Sequence, residues 1–288
     1  MYQYKLVDLP RQVKKILVTI PTSSIEDEYK NAFEKIRSVI LIPGFRQGKA
    51  PRDVAEKHIK KEKVFEELIR NLIPKIYDEI IKKEGIKPIV QPKIKLINAQ
   101  ENKDWEIEIM VAQKPNIDLG KYKDAIKNFK AQNKKADIWV PGKDIKTQPK
   151  AEDKTQTNID EILNLLLKES KIEIAELIVE EELNHRLTQL VDDVQKIGLS
   201  MDAYLKSKNL TLETLKSRYT KEIETTYKLE FILAQVADQE SIKVEKEDLD
   251  KLFANIKDEK ERQMAKQNAY FYASILRKQK TIDFLLSL

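Results

Sequence analysis

The feature that most constrains this chain is a change in its hydrophobic periodicity part-way along the sequence. Up to residue 113, stretches with apolar residues at alternate positions are mixed with stretches that place one every three or four positions. These spacings are typical of strands and helices, respectively. From residue 158 onward only the helical spacing recurs. The pattern predicts an α+β domain followed by an all-α domain.

Two hairpins are predicted in the first part of the chain. Residues 2–8 and 13–20 are rich in β-branched and aromatic residues and flank a short polar break that contains a proline. Residues 94–99 and 105–111 alternate apolar and polar residues on either side of a polar turn. With helices between the hairpins, residues 1–113 are expected to form one α+β domain with an antiparallel sheet.

The helices between the hairpins carry local start and stop signals. Ser23 is expected to be an N-cap, with Glu26 completing a capping box. A longer helix is predicted over residues 62–83. Pro74 should kink it and Gly85 should end it.

Residues 114–157 differ in composition from both neighbours and are expected to form a lysine-rich linker. Their second half is polar and without periodicity, which is typical of a flexible connection. The first half allows a short strand or helix that ends at residues 138–142, where Trp139 would anchor it to one of the domains. Residues 158–288 are expected to form the helical domain.

Composition excludes several classes of protein. The 288 residues are 41% hydrophobic and 35% charged, which is more charge than one compact globule needs, so two domains or an extended shape are expected. No cysteine occurs, which excludes disulfides and thiolate metal sites and fits a reducing compartment. The N-terminus has no signal-like apolar stretch and no run of membrane length occurs, so we expect a cytoplasmic protein that does not bind membranes.

Sites for cofactors, metals and catalysis have little support in the sequence. The six glycines are too scattered for a dinucleotide fingerprint or a phosphate loop. His58 and His185 each lack a second histidine at ligand spacing. No cofactor, metal ion or catalytic residue is therefore expected.

Positive charge is concentrated in the first half of the chain. Residues 1–154 contain 33 Lys and Arg against 23 Asp and Glu, whereas residues 155–288 contain 20 against 25. Residues 41–63 alone hold 7 basic against 3 acidic residues. The first half is therefore the part expected to bind anions such as RNA, although solubility alone could account for the charge.

One loop within that basic region is built to be exposed. In the segment from Ile42 to Pro51, Gly44 and Gly48 can adopt positive φ, and the two prolines separate the loop from its flanking helices. Between the glycines stand Phe45 and Arg46, and Lys49 follows. A ring beside two cations suits a partner surface that combines protein and phosphate. The alternative is a tight interhelical loop with ordinary surface cations.

The sequence of this loop resembles the ribosome-docking signature of the trigger factor family. That signature is matched by Gly44-Phe45-Arg46, then Gly48-Lys49, then Pro51, with Gln47 where the family usually has a lysine. Residues 174–182 and 196–205 also resemble the C-terminal domain of that family. The resemblance implies that Gly44, Phe45, Arg46, Gln47, Gly48 and Lys49 bind the ribosome.

The family implies a holdase that docks at the nascent-chain exit of the large ribosomal subunit, touching protein and RNA there, and shields unfolded or nascent polypeptides. The resemblance is also compatible with a homodimer off the ribosome. The usual family plan inserts a prolyl isomerase domain of the FKBP type after the first domain. The 44 residues from 114 to 157 are too few for that fold, so no enzyme activity is expected.

Two alternatives to a ribosome-docking holdase are compatible with the sequence. One is a free cytosolic assembly or scaffolding chaperone that binds ribosomes weakly, which Gln47 would favour because one cation of the docking triplet is missing. The other is an isomerase that acts by another route, which is disfavoured because no pocket is evident in the sequence.

Overall fold

The computed structural model describes residues 2–100, 103–136 and 151–288. The chain divides into two compact units, Met1–Lys114 and Pro115–Leu288, which we call unit 1 and unit 2. Unit 1 combines a four-stranded antiparallel sheet with helices, and unit 2 is almost entirely helical. The predicted fold class, α+β followed by all-α, is confirmed.

Unit 1 contains both predicted hairpins. Its elements in chain order are β1 (Gln3–Leu9), β2 (Val13–Ile20), α1 (Thr22–Val39), α2 (Arg52–His58), α3 (Lys61–Glu84), β3 (Lys93–Asn98) and β4 (Trp105–Ala112). The strand order is β1-β2-β4-β3, so the two hairpins meet through their second strands. Pairing is antiparallel throughout.

One face of this sheet builds the core of unit 1. Ile16 pairs with Ile109 and Val18 with Ile107, and all four side chains are buried. Because side chains alternate along a strand, the residues between them lie on the other face, where Lys15 forms an ion pair with Glu108. Helices α1 and α3 cover the apolar face and contribute buried residues to the same cluster. The alternation read from the sequence therefore sets which face the helices cover.

The ends of the helices in unit 1 differ in part from the prediction. Helix α1 begins at Thr22 with Pro21 as its N-cap and no side-chain cap, so the prediction that Ser23 caps it is wrong. The reason is that the Pro21 carbonyl already accepts the Ser24 and Ile25 backbone N–H groups, at 3.0 and 3.2 Å. Helix α3 ends at Gly85 as predicted, with φ of +61°.

Unit 2 consists of eight helices and two short strands in the described residues. In chain order they are β5 (Ile117–Asp118), α4 (Tyr122–Ala136), α5 (Ala151–Glu169), β6 (Lys171–Ile172), α6 (Glu176–Lys196), α7 (Met201–Ser207), α8 (Leu212–Gln239), α9 (Lys246–Ala254), α10 (Glu259–Gln267) and α11 (Ala269–Ser287). Ser200 caps α7, because its side chain accepts the Ala203 N–H.

The structure differs from the predicted linker over residues 114–157 at both ends of that range. Strand β5 pairs with β6, and α4 contributes Tyr122 and Ile126 to a buried cluster with residues of α5, α8 and α11. Helix α5 already begins at Ala151. These segments belong to unit 2 because they bury apolar side chains there. The predicted path over residues 137–150, with the Trp139 anchor, lies outside the described residues.

Two further departures concern the part of unit 2 that was expected to be uniformly helical. Strand β6 interrupts the series of helices. It forms because it pairs with β5, which lies among the residues expected to be a linker. The end of the chain is also not one continuous helix, because α10 and α11 are divided at Asn268. The backbone N–H of Asn268 reaches the carbonyls of Met264 and Ala265, and its side chain also donates to Met264, which closes α10.

Candidate functional site

The loop between α1 and α2 is held at both ends by buried residues and exposed between them. Ile42 and Ala50 are 4% and 5% exposed, respectively, and belong to the core cluster of unit 1. Phe45, Arg46 and Lys49 between them are exposed. The loop is therefore fixed to the unit at two points, and its signature residues face solvent.

Two successive tight turns shape the loop. The Phe45 N–H donates to the Ile42 carbonyl at 3.1 Å, and the Lys49 N–H donates to the Arg46 carbonyl at 2.9 Å. Each turn has a glycine at its third position, Gly44 with φ of +84° and Gly48 with φ of +74°. This placement is the signature of type II turns, which require positive φ there. The spacing of the two glycines thus follows from two turns in series.

The second turn lies directly against the C-terminal end of α1. Gln47 Nε2 donates to the backbone carbonyl of Val39, the last residue of that helix, at 2.9 Å. At Gly48, a Cβ atom would lie 2.8 Å from the Ser38 carbonyl oxygen. Only glycine permits this approach without displacement of the backbone. The side chain of Gln47, expected to meet the ribosome, is therefore bonded to its own chain.

The loop exposes one aromatic ring and two cationic side chains. Phe45 is 41% exposed. Among the described residues, neither Arg46 nor Lys49 forms an ion pair, whereas Arg52 just after the loop is bonded to Glu56 and lies over the Phe33 ring. A surface of this kind suits a partner with an apolar recess and nearby anionic groups. All six predicted site residues are thus brought together, with Gln47 turned toward α1.

Sequence reasoning missed two exposed aliphatic residues beside the loop. Val39 is 64% exposed and Leu41 is 76% exposed. The available signal was a run of four apolar residues, from Val39 to Ile42, at a helix end, where one apolar face cannot bury all of them. Of these four, only Ile42 is buried.

A second candidate surface lies in unit 2, where large apolar side chains remain exposed after the helices have packed. The most exposed ones in its last two helices are Met264 at 64%, Tyr270 at 91%, Phe271 at 60% and Ile275 at 49%. Phe271 and Ile275 line a groove of about 400 Å³ between α8 and α11, with Leu233 on the opposite wall. Apolar surface of this type suits unfolded polypeptide.

The observed boundary between the two units divides the charged residues differently from the boundary expected from the sequence. Unit 1 contains 23 Lys and Arg against 17 Asp and Glu, and unit 2 contains 30 against 31. Unit 1 therefore keeps a clear positive excess and unit 2 is close to neutral, because α4 brings its lysines to unit 2.

Across residues 2–100, 103–136 and 151–288, no group of three or more His, Cys, Asp or Glu could hold a metal ion. None of the described helices is long and apolar enough to cross a bilayer. The surfaces that match the predicted docking and holding are the loop of unit 1 and the apolar surface of unit 2.

Comparison with known proteins identifies the family. The family model described as bacterial trigger factor protein matches residues 2–140, and the model described as its C-terminus matches residues 143–287. The trigger factor of Lactococcus lactis subsp. lactis (strain IL1403) is 35% identical over 122 residues, which is 42% of this chain and 29% of that protein. That of Streptococcus pneumoniae (strain Hungary19A-6) is 26% identical over 161 residues, covering 56% and 35%, respectively.

A solved structure has a similar fold over nearly the whole chain. It is described as showing promiscuous substrate recognition in the folding and assembly activities of the trigger factor chaperone. The TM-score is 0.60 at 13% identity, with 99% of both chains covered. The curated relatives, by contrast, are matched over about a third of their length or less. Because the two family models account for residues 2–140 and 143–287, this chain belongs to the bacterial trigger factor family.

Proposed function

We propose that this chain is a ribosome-associated chaperone that docks at the nascent-chain exit of the large subunit and shields apolar segments of new proteins. The observation that carries the proposal is the loop itself. Two turns in series present Phe45, Arg46 and Lys49 to solvent, without ion pairs for the two cations among the described residues. Membership of the trigger factor family supports both the partner and the activity.

In this proposal the loop residues have distinct roles. Phe45 inserts into an apolar recess of a protein at the tunnel exit, while Arg46 and Lys49 meet carboxylates or RNA phosphates beside it. Gly44 and Gly48 shape the two turns. The positive excess of unit 1 steers it toward the ribosome, a particle rich in phosphate.

Clients are held by apolar contact in unit 2. The exposed residues of α10 and α11 provide such contact without a closed pocket, so binding is weak and tolerant of sequence. Docking raises the effective concentration of nascent chain near this surface, so weak contacts suffice. The site of action is then the cytoplasm, where ribosomes translate.

The proposed activity is capture rather than chemistry. The two family models match residues 2–140 and 143–287 with only residues 141–142 between them, which supports a chaperone without an inserted isomerase domain. A proline-limited refolding assay tests this point. Acceleration of refolding by the chain at catalytic ratios would contradict it.

Ribosome co-sedimentation of the double variant Phe45→Ala/Arg46→Ala tests the docking role. We expect it to lose ribosome association while its circular dichroism and thermal midpoint stay unchanged, because both side chains lie outside the core. The matched control is Ile97→Ala/Arg70→Ala, which removes an exposed aliphatic and an exposed cation elsewhere in unit 1. Equal sedimentation of wild type and both variants would contradict docking through this loop. If wild type itself did not sediment with ribosomes but still held clients, a free assembly chaperone would be favoured.

A further inference from the structure

The most exposed large aliphatic residues described in unit 1 lie immediately before the loop. Val39 is 64% exposed at the last position of α1, and Leu41 is 76% exposed two residues later. With Phe45, three large apolar side chains are exposed within seven residues. Single exposed aliphatics are ordinary, but a group of them beside a candidate interface marks a contact surface.

Gln47 ties this group to the loop. Its side-chain N–H donates to the Val39 carbonyl, an acceptor that the helix leaves without an intrahelical partner at its C-terminal end. The next residue, Gly48, passes so close to the Ser38 carbonyl that a Cβ would lie 2.8 Å from it. Two adjacent residues of the second turn, Gln47 and Gly48, therefore contact the last two residues of α1. This contact places Val39 beside the turn that carries Arg46 and Lys49.

We propose that the docking surface of this chain extends from the loop to Val39 and Leu41, and that Gln47 is a positioning residue that holds these two parts together. The inference rests on the proposed docking function. The partner is a protein surface at the ribosomal exit with an apolar recess wide enough for more than one side chain, flanked by anionic groups. Continuity with the loop and the charges of Arg46 and Lys49 specify this partner rather than an unfolded client.

The division between apolar and charged contacts has a measurable consequence. Cations that meet phosphates release counterions, so their contribution to affinity falls with salt. Apolar contacts release none, so their contribution persists as the salt concentration rises. Val39 and Leu41 should therefore affect affinity at all salt concentrations, whereas Arg46 and Lys49 should determine its salt dependence.

The first test is co-sedimentation of the full-length chain with purified 70S ribosomes over a series of salt concentrations. We expect Val39→Ser/Leu41→Ser to weaken binding at least about tenfold at each salt concentration, with the slope of log affinity against log salt unchanged. The matched control is Ile94→Ser/Ile97→Ser, which removes two exposed isoleucines of β3, 41% and 51% exposed. It should bind like wild type.

Each result of this test has one meaning. If wild type does not sediment with ribosomes, the docking function fails and this inference fails with it. Should wild type bind while Val39→Ser/Leu41→Ser binds equally well, docking stands and the extended surface is overturned. A loss shared equally by the β3 control would overturn it too, since the effect would then not be local. Leu41→Ser alone, outside any helix and 76% exposed, repeats the test at a site with no helical contacts.

The second test examines Gln47 by a double-mutant cycle and by proteolysis. If Gln47 acts by holding Val39 in place, Gln47→Ala weakens binding in the wild-type chain and has no further effect in the Val39→Ser/Leu41→Ser chain. Additive losses would mean that Gln47 touches the partner, which overturns the positioning role. Without ribosomes, Gln47→Ala should speed tryptic cleavage after Arg46 and Lys49, because the second turn is released. An unchanged cleavage rate would overturn it as well.

Discussion

At the scale of single residues, the two loop glycines differ in what they permit although both have positive φ. A Cβ at Gly44 would meet no atom within 4 Å, so this position requires only the backbone freedom of glycine. A Cβ at Gly48 would collide with the Ser38 carbonyl oxygen at 2.8 Å, so this position also requires the missing side chain. The loop depends on Gly48 for its contact with α1.

Alanine substitution separates these two requirements. Gly44→Ala should strain one turn by about 1–2 kcal/mol, the usual cost of a left-handed backbone for an L-residue. Gly48→Ala should add displacement of the second turn from α1 and therefore weaken ribosome binding more than Gly44→Ala does. Co-sedimentation compares the two variants, and urea unfolding checks that unit 1 stays folded. Equal affinities for both would show that the approach to Ser38 has no role in docking.

The sequence predicts the exposure of this loop but not its internal contact. Exposure follows from local signals, since the Pro-Gly pattern imposes turns and only Ile42 and Ala50 have apolar side chains that reach the core. The bond from Gln47 to Val39 joins residues eight positions apart across a reversal of the chain. Such an approach depends on how both turns close, and neither composition nor periodicity reports it.

At the scale of elements, α4 is the part of the fold that sequence reasoning placed in the wrong region. Its lysines resemble a linker composition, yet Tyr122, Ile126 and Phe129 recur at helical spacing on one face. Tyr122 and Ile126 are 3% and 0% exposed, respectively, in the core of unit 2. Lys130 donates to the carbonyls of Leu285 and Leu286 near the end of the chain. This apolar face of α4 packs into the core of unit 2. Its partners lie in helices far along the sequence, so the sequence around α4 alone does not show that the face is buried.

Truncation tests whether unit 2 needs α4. Residues 115–288 should fold as a cooperative helical unit, whereas residues 158–288 should be far less stable or unfolded. Buried Leu119, Tyr122 and Ile126 each contribute about 1.5–3 kcal/mol, and a whole domain has only about 5–15 kcal/mol of stability. Circular dichroism with urea titration of both fragments measures the difference. Matching unfolding midpoints would show that α4 is dispensable.

A carboxylate that joins α4 to α8 should make unit 2 sensitive to acid. Glu240, which caps the C-terminal end of α8, accepts hydrogen bonds from Lys123 at 2.7 Å and Tyr122 at 2.9 Å. The Lys123 ammonium, followed by the Tyr122 hydroxyl, lowers the pKa of Glu240 below its ordinary value. A lowered pKa in the folded state adds stability at neutral pH, and this stability is lost as the pH falls through the folded-state pKa.

The variant Glu240→Gln tests this linkage. It should lower the thermal midpoint of the 115–288 unit at pH 7, and the difference from wild type should shrink as the pH falls through the folded-state pKa, which lies below the ordinary value, because the wild-type carboxylate is then protonated too. The two melting curves should therefore converge as the pH falls. The control is Glu213→Gln, an acidic residue in the first turn of the same helix. A constant difference between Glu240→Gln and wild type from pH 7 to pH 3 would contradict the linkage.

At the scale of the whole molecule, the positive excess lies in unit 1, whereas both units expose large apolar side chains. Unit 1 carries the positive excess and the exposed cations of the loop. Unit 2 is nearly neutral and exposes Met264, Tyr270, Phe271 and Ile275. In the proposals, docking depends on charge as well as on apolar contact, whereas holding depends on apolar contact alone, so rising salt weakens docking without weakening holding.

Salt and a crossed pair of variants should separate the two activities in the full-length chain. Raising the salt concentration should weaken ribosome co-sedimentation but leave suppression of client aggregation unchanged or stronger, because apolar contacts are not screened. Tyr270→Ser/Phe271→Ser should reduce holding, measured by light scattering of a denatured client, and leave docking intact. Phe45→Ala/Arg46→Ala should do the reverse, so each variant is the control for the other. Loss of both activities in either variant would mean that docking and holding share one surface.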